Sequence, residues 1–173
     1  KQLIPMEPDS TWNGIIFKSG SGLLGNVFMF GATGGKSGCA ISYNGTSALD
    51  VTSGSQIHSL NDGICSPPDK HSLNVRVLSA SSVIAARDAI VSGGRVRLIS
   101  STIRAGRNGI IGAMGLLQIQ SSSIFAQRGV IFNPLYSSSS VIVQETSFEG
   151  AEVALSFEGT DTASNVFIVD NTF

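Results

Sequence analysis

Residues 96–110 read VRLISSTIRAGRNGI, and the same skeleton returns as LQIQSSSIFAQRGVI at 117–131 and as VIVQETSFEGAEVAL at 141–155. Val96, Leu98, Ile103 and Ile110 thus recur at equal offsets as Leu117, Ile119, Ile124 and Ile131, and again as Val141, Val143, Phe148 and Leu155. Outward from this block, the pattern starts at Leu49, Val75, Val96, Leu117, Val141 and Val166, at intervals of 21 to 26 residues. Such a period marks a solenoid, in which each repeat buries its apolar face only by stacking on its neighbours. Each unit opens on an alternating pair such as Val96-Arg97-Leu98, the period-two pattern of a strand with one buried face. A second apolar position and then a third follow at steps of about seven residues. The expected fold is all-β: a single-stranded parallel β-helix of about seven coils, three short strands to a coil.

The units that begin at Leu49 and Val75 carry one extra residue before the second strand, which predicts a bulge at the first corner. Upstream, Val27, Met29 and Ile41 mark a further coil, and Asn13-Gly14-Ile15-Ile16 echoes Asn108-Gly109-Ile110-Ile111. Regular coils are expected over 27–173, with 1–26 as an irregular or capping N-terminal part of one domain cut from a longer chain. The second strand is preceded by Ser82, Thr102, Ser123, Ser147 and Thr172, and these by Ser81, Ser101, Ser122, Thr146 and Asn171. Stacked hydroxyls at one corner satisfy turn backbone groups and each other, so a structural role is expected. The last segment of each coil varies most in length, from Ser92-Gly93-Gly94 to the longer 66–72, 133–139 and 158–164, and this loop face is the expected binding surface.

Only 13% of the residues are charged and the net charge is −1, which gives no general attraction to nucleic acid. Mean hydropathy is +0.23, yet no apolar run approaches the roughly 20 residues of a membrane helix, so membrane insertion is not expected. Cys39 and Cys65 show no metal-site spacing and are too few for a disulfide scaffold, so both are expected as free thiols. His58 and His71 lack partners at catalytic or metal spacing. No phosphate loop, nucleophile elbow or metal motif is present, and no cofactor is expected.

The repeat length, the three strands per coil and phrases such as Phe167-Ile168-Val169-Asp170-Asn171-Thr172-Phe173 resemble right-handed parallel β-helix proteins of the pectin-lyase-like superfamily. Short serine-rich coils with low charge and few cysteines look most like bacteriophage tailspikes and related adhesins. That resemblance implies a homotrimer on the virion that binds, and often cleaves, bacterial surface polysaccharide. A polysaccharide hydrolase or lyase of the pectin-lyase-like class is one alternative, and a bacterial adhesin or autotransporter passenger, secreted or at the cell surface, is another. The Asp-Asp and Gly-His-Gly segments of polygalacturonases and the clustered aspartates of calcium-dependent pectate lyases are missing.

Aligned on the third strand, Asp62, Asp88 and Asn108 share one position, which puts Asp62 and Asp88 about 5 Å apart on adjacent coils. That separation suits the two carboxylates of a retaining glycosidase, Asp62 and Asp88 being the candidate catalytic pair, unless each simply answers a neighbouring arginine. Arg87, Arg107 and Arg128 form a ladder between Asn61 and Glu152, ready for an acidic sugar if not paired internally. Asp50, Arg76, Arg97 and Gln118 make a second, self-neutralising ladder. Trp12, Tyr43 and Tyr136 are candidate platforms for a sugar ring, whose apolar face packs on aromatic groups. The expected substrate-binding set is Arg87, Arg107, Arg128, Asn108, Trp12 and Tyr136.

Overall fold

A computed structural model describes residues 2–3, 12–33, 38–134, 139–158 and 165–173. The chain winds through three sheets of seven strands, each strand pairing in parallel with its equivalent one coil away. No helix occurs among the described residues that is long and apolar enough to cross a membrane. Sheet I comprises β3 (Gly22–Gly25), β6 (Ala48–Thr52), β9 (Asn74–Leu78), β12 (Arg95–Ile99), β15 (Leu116–Gln120), β18 (Ser140–Gln144) and β21 (Asn165–Val169). Sheet II comprises β1 (Gln2–Leu3), β4 (Phe28–Ala32), β7 (Gln56–Ser59), β10 (Ser82–Ala85), β13 (Thr102–Ala105), β16 (Ser123–Phe125) and β19 (Ser147–Glu149). Sheet III comprises β2 (Ile15–Phe17), β5 (Cys39–Tyr43), β8 (Asp62–Cys65), β11 (Ile90–Val91), β14 (Asn108–Met114), β17 (Arg128–Pro134) and β20 (Val153–Phe157). Six turns separate β1 from β19, the ends of a seven-stranded sheet, and β20 and β21 carry the chain most of the way round again. The expected parallel solenoid of three-stranded coils is the observed architecture.

The core is built from the columns the repeat names. Leu49, Val75, Val96, Leu117 and Val141 stack with no exposure in sheet I, and Ile57, Val83, Ile103 and Ile124 do so in sheet II. Ile41, Ile64, Ile90 and Ile110 form the third column, fully buried, and Ile15 joins it from β2 as the Asn-Gly-Ile-Ile echo anticipated. Burying one such side chain stabilises by about 1.5–3 kcal/mol, and here the partners above and below are of the same type, so the gain repeats coil by coil.

The third column departs from expectation beyond Ile110. Val130, and not Ile131, lies on Ile110, and Leu155 lies on Val130. The corner between β16 and β17 is one residue shorter than its predecessor, because Arg104 pairs with Phe125 but Asn108 pairs with Arg128. Both Val130 and Ile131 are buried, so apolar character could not tell them apart.

The corner between sheets I and II turns on residues in the left-handed conformation. Coils of the shorter kind use one, at Asn26, Ser100, Ser121, Glu145 or Asp170, with φ between 48° and 54°. The two coils with an extra residue use two in succession, Ser53-Gly54 and Ser79-Ala80. The expected one-residue bulge is thus a second left-handed residue in the turn.

The cysteines are not free thiols. Cys39 and Cys65 are joined in a disulfide, with their Cα atoms 5.9 Å apart. The two lie on adjacent strands, β5 and β8, three residues out of register: Cys39 pairs with Asp62 and Cys65 with Ser42, so stacking brings them close without making them partners in the ladder, and their spacing of 26 residues did not match the 23-residue step there.

Candidate functional site

Two surfaces concentrate chemistry. The first is the corner where sheet II passes into sheet III. Here the strand register places Asp62, Asp88 and Asn108 in one column, as expected, through the pairs Ile64↔Ile90 and Ile90↔Ile110. Arg128 continues that column by pairing with Asn108. Arg87, Arg107 and Arg128 also follow one another along the backbone: the Arg107 N–H donates to Arg87 C=O and the Arg128 N–H to Arg107 C=O, each at 2.9 Å.

Each of these arginines reaches a carboxylate. Arg87 Nε stands 3.5 Å from Asp62 Oδ1. Arg107 grips Asp88 with both Nε, at 2.9 Å from Oδ1, and Nη2 on Oδ2. Arg128 pairs with Glu158, and not with Glu152, whose N–H instead donates to Gln127 C=O at 2.8 Å in the neighbouring register. Asp62 Oδ1 also accepts the Asp88 N–H at 3.2 Å.

Asp88 is the buried centre of this network. Its carboxylate receives Asn108 Nδ2 at 2.7 Å as well as Arg107. Burial pushes the Asp88 carboxyl up, but the hydrogen bonds from Arg107 and Asn108, with the charge of Arg107, outweigh it and hold the group below its ordinary value. The same pairing raises Arg107. Asp88 is therefore an ionised, fully engaged carboxylate, and the member with a raised pKa that a retaining pair requires is not Asp88. Asn108 is buried too, and its Oδ1 has no hydrogen-bond partner among the described residues.

The second ladder is neutralised only at one step, and Arg97 Nε is buried without a hydrogen-bond partner among the described residues. Asp50 and Arg76 pair across β6 and β9 by two contacts, Arg76 Nη2 lying 2.5 Å from Oδ2, and the Asp50 hydrogen bond raises the guanidinium's pKa.

The aromatic candidates fare differently. Trp12 bridges to Ala32, is half-buried against the core and donates its indole N–H to Phe30 C=O at 2.7 Å. Tyr43 is fully buried, its hydroxyl donating to Gly20 C=O at 3.0 Å. Tyr43 therefore offers no open ring face, and Tyr136 lies outside the described residues. His58 stacks on Phe30, with ring centroids 4.5 Å apart, and burial lowers its pKa. His71 Nδ1 lies 3.0 Å from Gly93 C=O, in the 66–72 loop that folds over the Gly93-Gly94 corner.

The second surface was not anticipated. A cleft of about 580 Å³ opens on the outer side of sheet II, lined by Ile84, Arg104, Phe125, Gln127 and Glu149 among others. The register builds it: Ile84, Arg104, Phe125 and Glu149 follow one another as outward residues of β10, β13, β16 and β19. Ala85, Ala105, Gly106, Ala126 and Gly150 line the adjoining corner, and their small size leaves the concavity. Gly106 is required there, since a Cβ would stand 2.2 Å from the Ala86 carbonyl oxygen. The Arg104 guanidinium lies over the Phe125 ring, 3.9 Å from its centroid, and has no carboxylate partner among the described residues. The cleft thus presents an aromatic ring with a guanidinium stacked on one face, an amide and a carboxylate on a rigid support. Its signal lay one residue after Ile103, Ile124 and Phe148, where attention to the preceding hydroxyls missed it.

The chain's relationships do not add to this geometry: no protein-family model, no curated protein and no solved structure matches it.

Proposed function

We propose that this chain is a glycan-recognition module of the tailspike kind, a right-handed pectin-lyase-like β-helix that, as a homotrimer on a phage tail, binds bacterial surface polysaccharide along the sheet II cleft. The observation that carries the reading is the Arg104–Phe125 pair set in an open, rigid cleft. A pyranose has an apolar ring face that packs against the Arg104–Phe125 stack, and hydroxyl groups that hydrogen-bond to Gln127 and Glu149. Arg104, without an ion pair of its own, favours an acidic sugar.

The test is calorimetric titration of the chain with a panel of capsular and lipopolysaccharide-derived bacterial polysaccharides. Binding of at least one is expected, and Phe125→Ala weakens it at least about tenfold, or about 1.4 kcal/mol, while the fold, to which the outward ring contributes little, persists. If Phe125→Ala binds like the wild type, the cleft is not the site.

A second reading, cleavage by Asp62 and Asp88, draws on their juxtaposition on adjacent coils. The depressed pKa of Asp88 and its grip by Arg107 weigh against it. An Asp88→Asn chain that still degrades polysaccharide ends that reading.

A further inference from the structure

The disulfide shares its corner with an acid. One ligand atom each from Cys39, Cys65 and Asp62 lies within 4.8 Å of the other two. The backbone holds these residues together independently of the S–S bond. Strands β5 and β8 pair at Cys39↔Asp62, Ile41↔Ile64 and Ser42↔Cys65, the Asp62 N–H donates to Gly38 C=O at 3.0 Å, and Ile41 and Ile64 are fully buried beneath. Opening the disulfide therefore leaves two thiols and a carboxylate facing one another across adjacent coils.

We propose that, in the reduced chain, Cys39, Cys65 and Asp62 form a three-donor site for Zn²⁺, with water as fourth ligand. Two sulfurs and one oxygen suit this borderline-soft ion, which takes Cys at about 2.3 Å and Asp at about 2.0–2.2 Å in a tetrahedron, and a small side-chain rotation brings the donors onto it. Cys39 is buried, whereas Asp62 and Cys65 are half-buried, so the ion enters from solvent on one side. Charge also balances. Two thiolates and a carboxylate exceed the ion by one negative charge, and Arg87, 3.5 Å from Asp62, supplies the compensating positive one.

The chemistry has two steps. A dithiol reductant delivers two electrons and two protons to the S–S bond, giving two thiols and the reductant's own disulfide; the ion then displaces both thiol protons to solvent. The same two coils are thus clipped by a covalent bond in an oxidising compartment and by a metal ion in a reducing one.

Cobalt(II) is the probe, because thiolate ligation gives it a charge-transfer absorption. The reduced wild-type chain is expected to bind one Co²⁺ with that absorption, to exchange it for Zn²⁺ and to release two protons per ion; the oxidised chain binds none. Cys39→Ser removes the absorption, Asp62→Asn weakens binding at least about tenfold, and Asp62→Glu restores it. Circular dichroism on the same samples reports whether the sheets persist. Absence of the absorption in the reduced wild type, an Asp62→Asn affinity equal to wild type, or loss of sheet structure on reduction alone would each overturn the proposal. None of these readouts depends on glycan binding.

Discussion

At the scale of single residues, Asp88 carries the most consequence. A carboxylate this buried folds only because Arg107 and Asn108 meet it, and removing its charge strands the guanidinium that remains. Asp88→Asn is expected to cost about 1–3 kcal/mol, toward the lower end because half of the Arg107 side chain faces solvent. The sign of the pH dependence follows from the lowered pKa. The folded chain binds fewer protons than the unfolded chain near the ordinary value of 3.8, so the contribution is complete above that pH and is lost as pH falls toward the folded-state pKa. Urea midpoints measured from pH 6 to pH 3 should fall steeply in the wild type and less steeply in Asp88→Asn. Equal slopes in the two chains would show that Asp88 is not the titrating group. The Asp88–Arg107 contact was legible in the sequence as an alternative to catalysis, because stacked coils make residues about one period apart into neighbours. What sequence alone withheld was burial, which decides whether such a pair is an active carboxylate or an engaged one.

At the scale of the element, the corner between sheets I and II shows how one position can be structural in several coils for different reasons. Ser122 Oγ donates to Gln120 C=O at 2.7 Å and accepts the Ser101 N–H of the coil before it at 3.2 Å. Thr146 repeats the first bond to Gln144 C=O at 2.9 Å, and Asn171 takes over the second by accepting the Thr146 N–H at 2.9 Å. Ser81, in the same column, is equally buried but its Oγ has no hydrogen-bond partner among the described residues. Ser122→Ala should therefore destabilise by about 1–3 kcal/mol by orphaning a buried N–H, whereas Ser81→Ala should be neutral or slightly stabilising. Chemical denaturation of the two variants separates them, and equal losses would sink the assignment of partners. The hydroxyl ladder was readable from offsets alone because it is made of the same residue types in every coil. The sheet II cleft was not, since its outward column runs Ile84, Arg104, Phe125, Glu149, a series with no common chemistry. A column that changes character from coil to coil leaves no periodic signal, and that is the pattern a binding surface on a repeat scaffold produces.

At the scale of the whole molecule, a solenoid is held by nearest-neighbour stacking, so its weakest coils set its integrity. The Cys39–Cys65 bridge clips two N-terminal coils across a 26-residue separation, a closure worth about 3.5 kcal/mol on the chain-entropy view. Exposed apolar side chains occur near both ends of the described rod: Ile16, Leu23 and Leu60 are 57% to 69% exposed, and Phe167, an outward residue of β21, is 51% exposed. The middle of the rod is different, since the outward column of sheet I there is Asp50, Arg76, Arg97 and Gln118, between the apolar Leu23 before them and Ile142 and Phe167 after them. The proposed trimer would bury outward apolar residues such as Phe167, as exposed apolar surface of this kind marks association sites. Light scattering after size exclusion should then give a particle near three times 18.0 kDa. Phe167→Asp, which places a charge on the outward face of sheet I without touching the buried columns, should return the particle to a single chain with its sheet content intact. A wild-type chain that runs at 18.0 kDa at all concentrations would remove the trimer from the proposed function and leave the cleft to bind its glycan one subunit at a time.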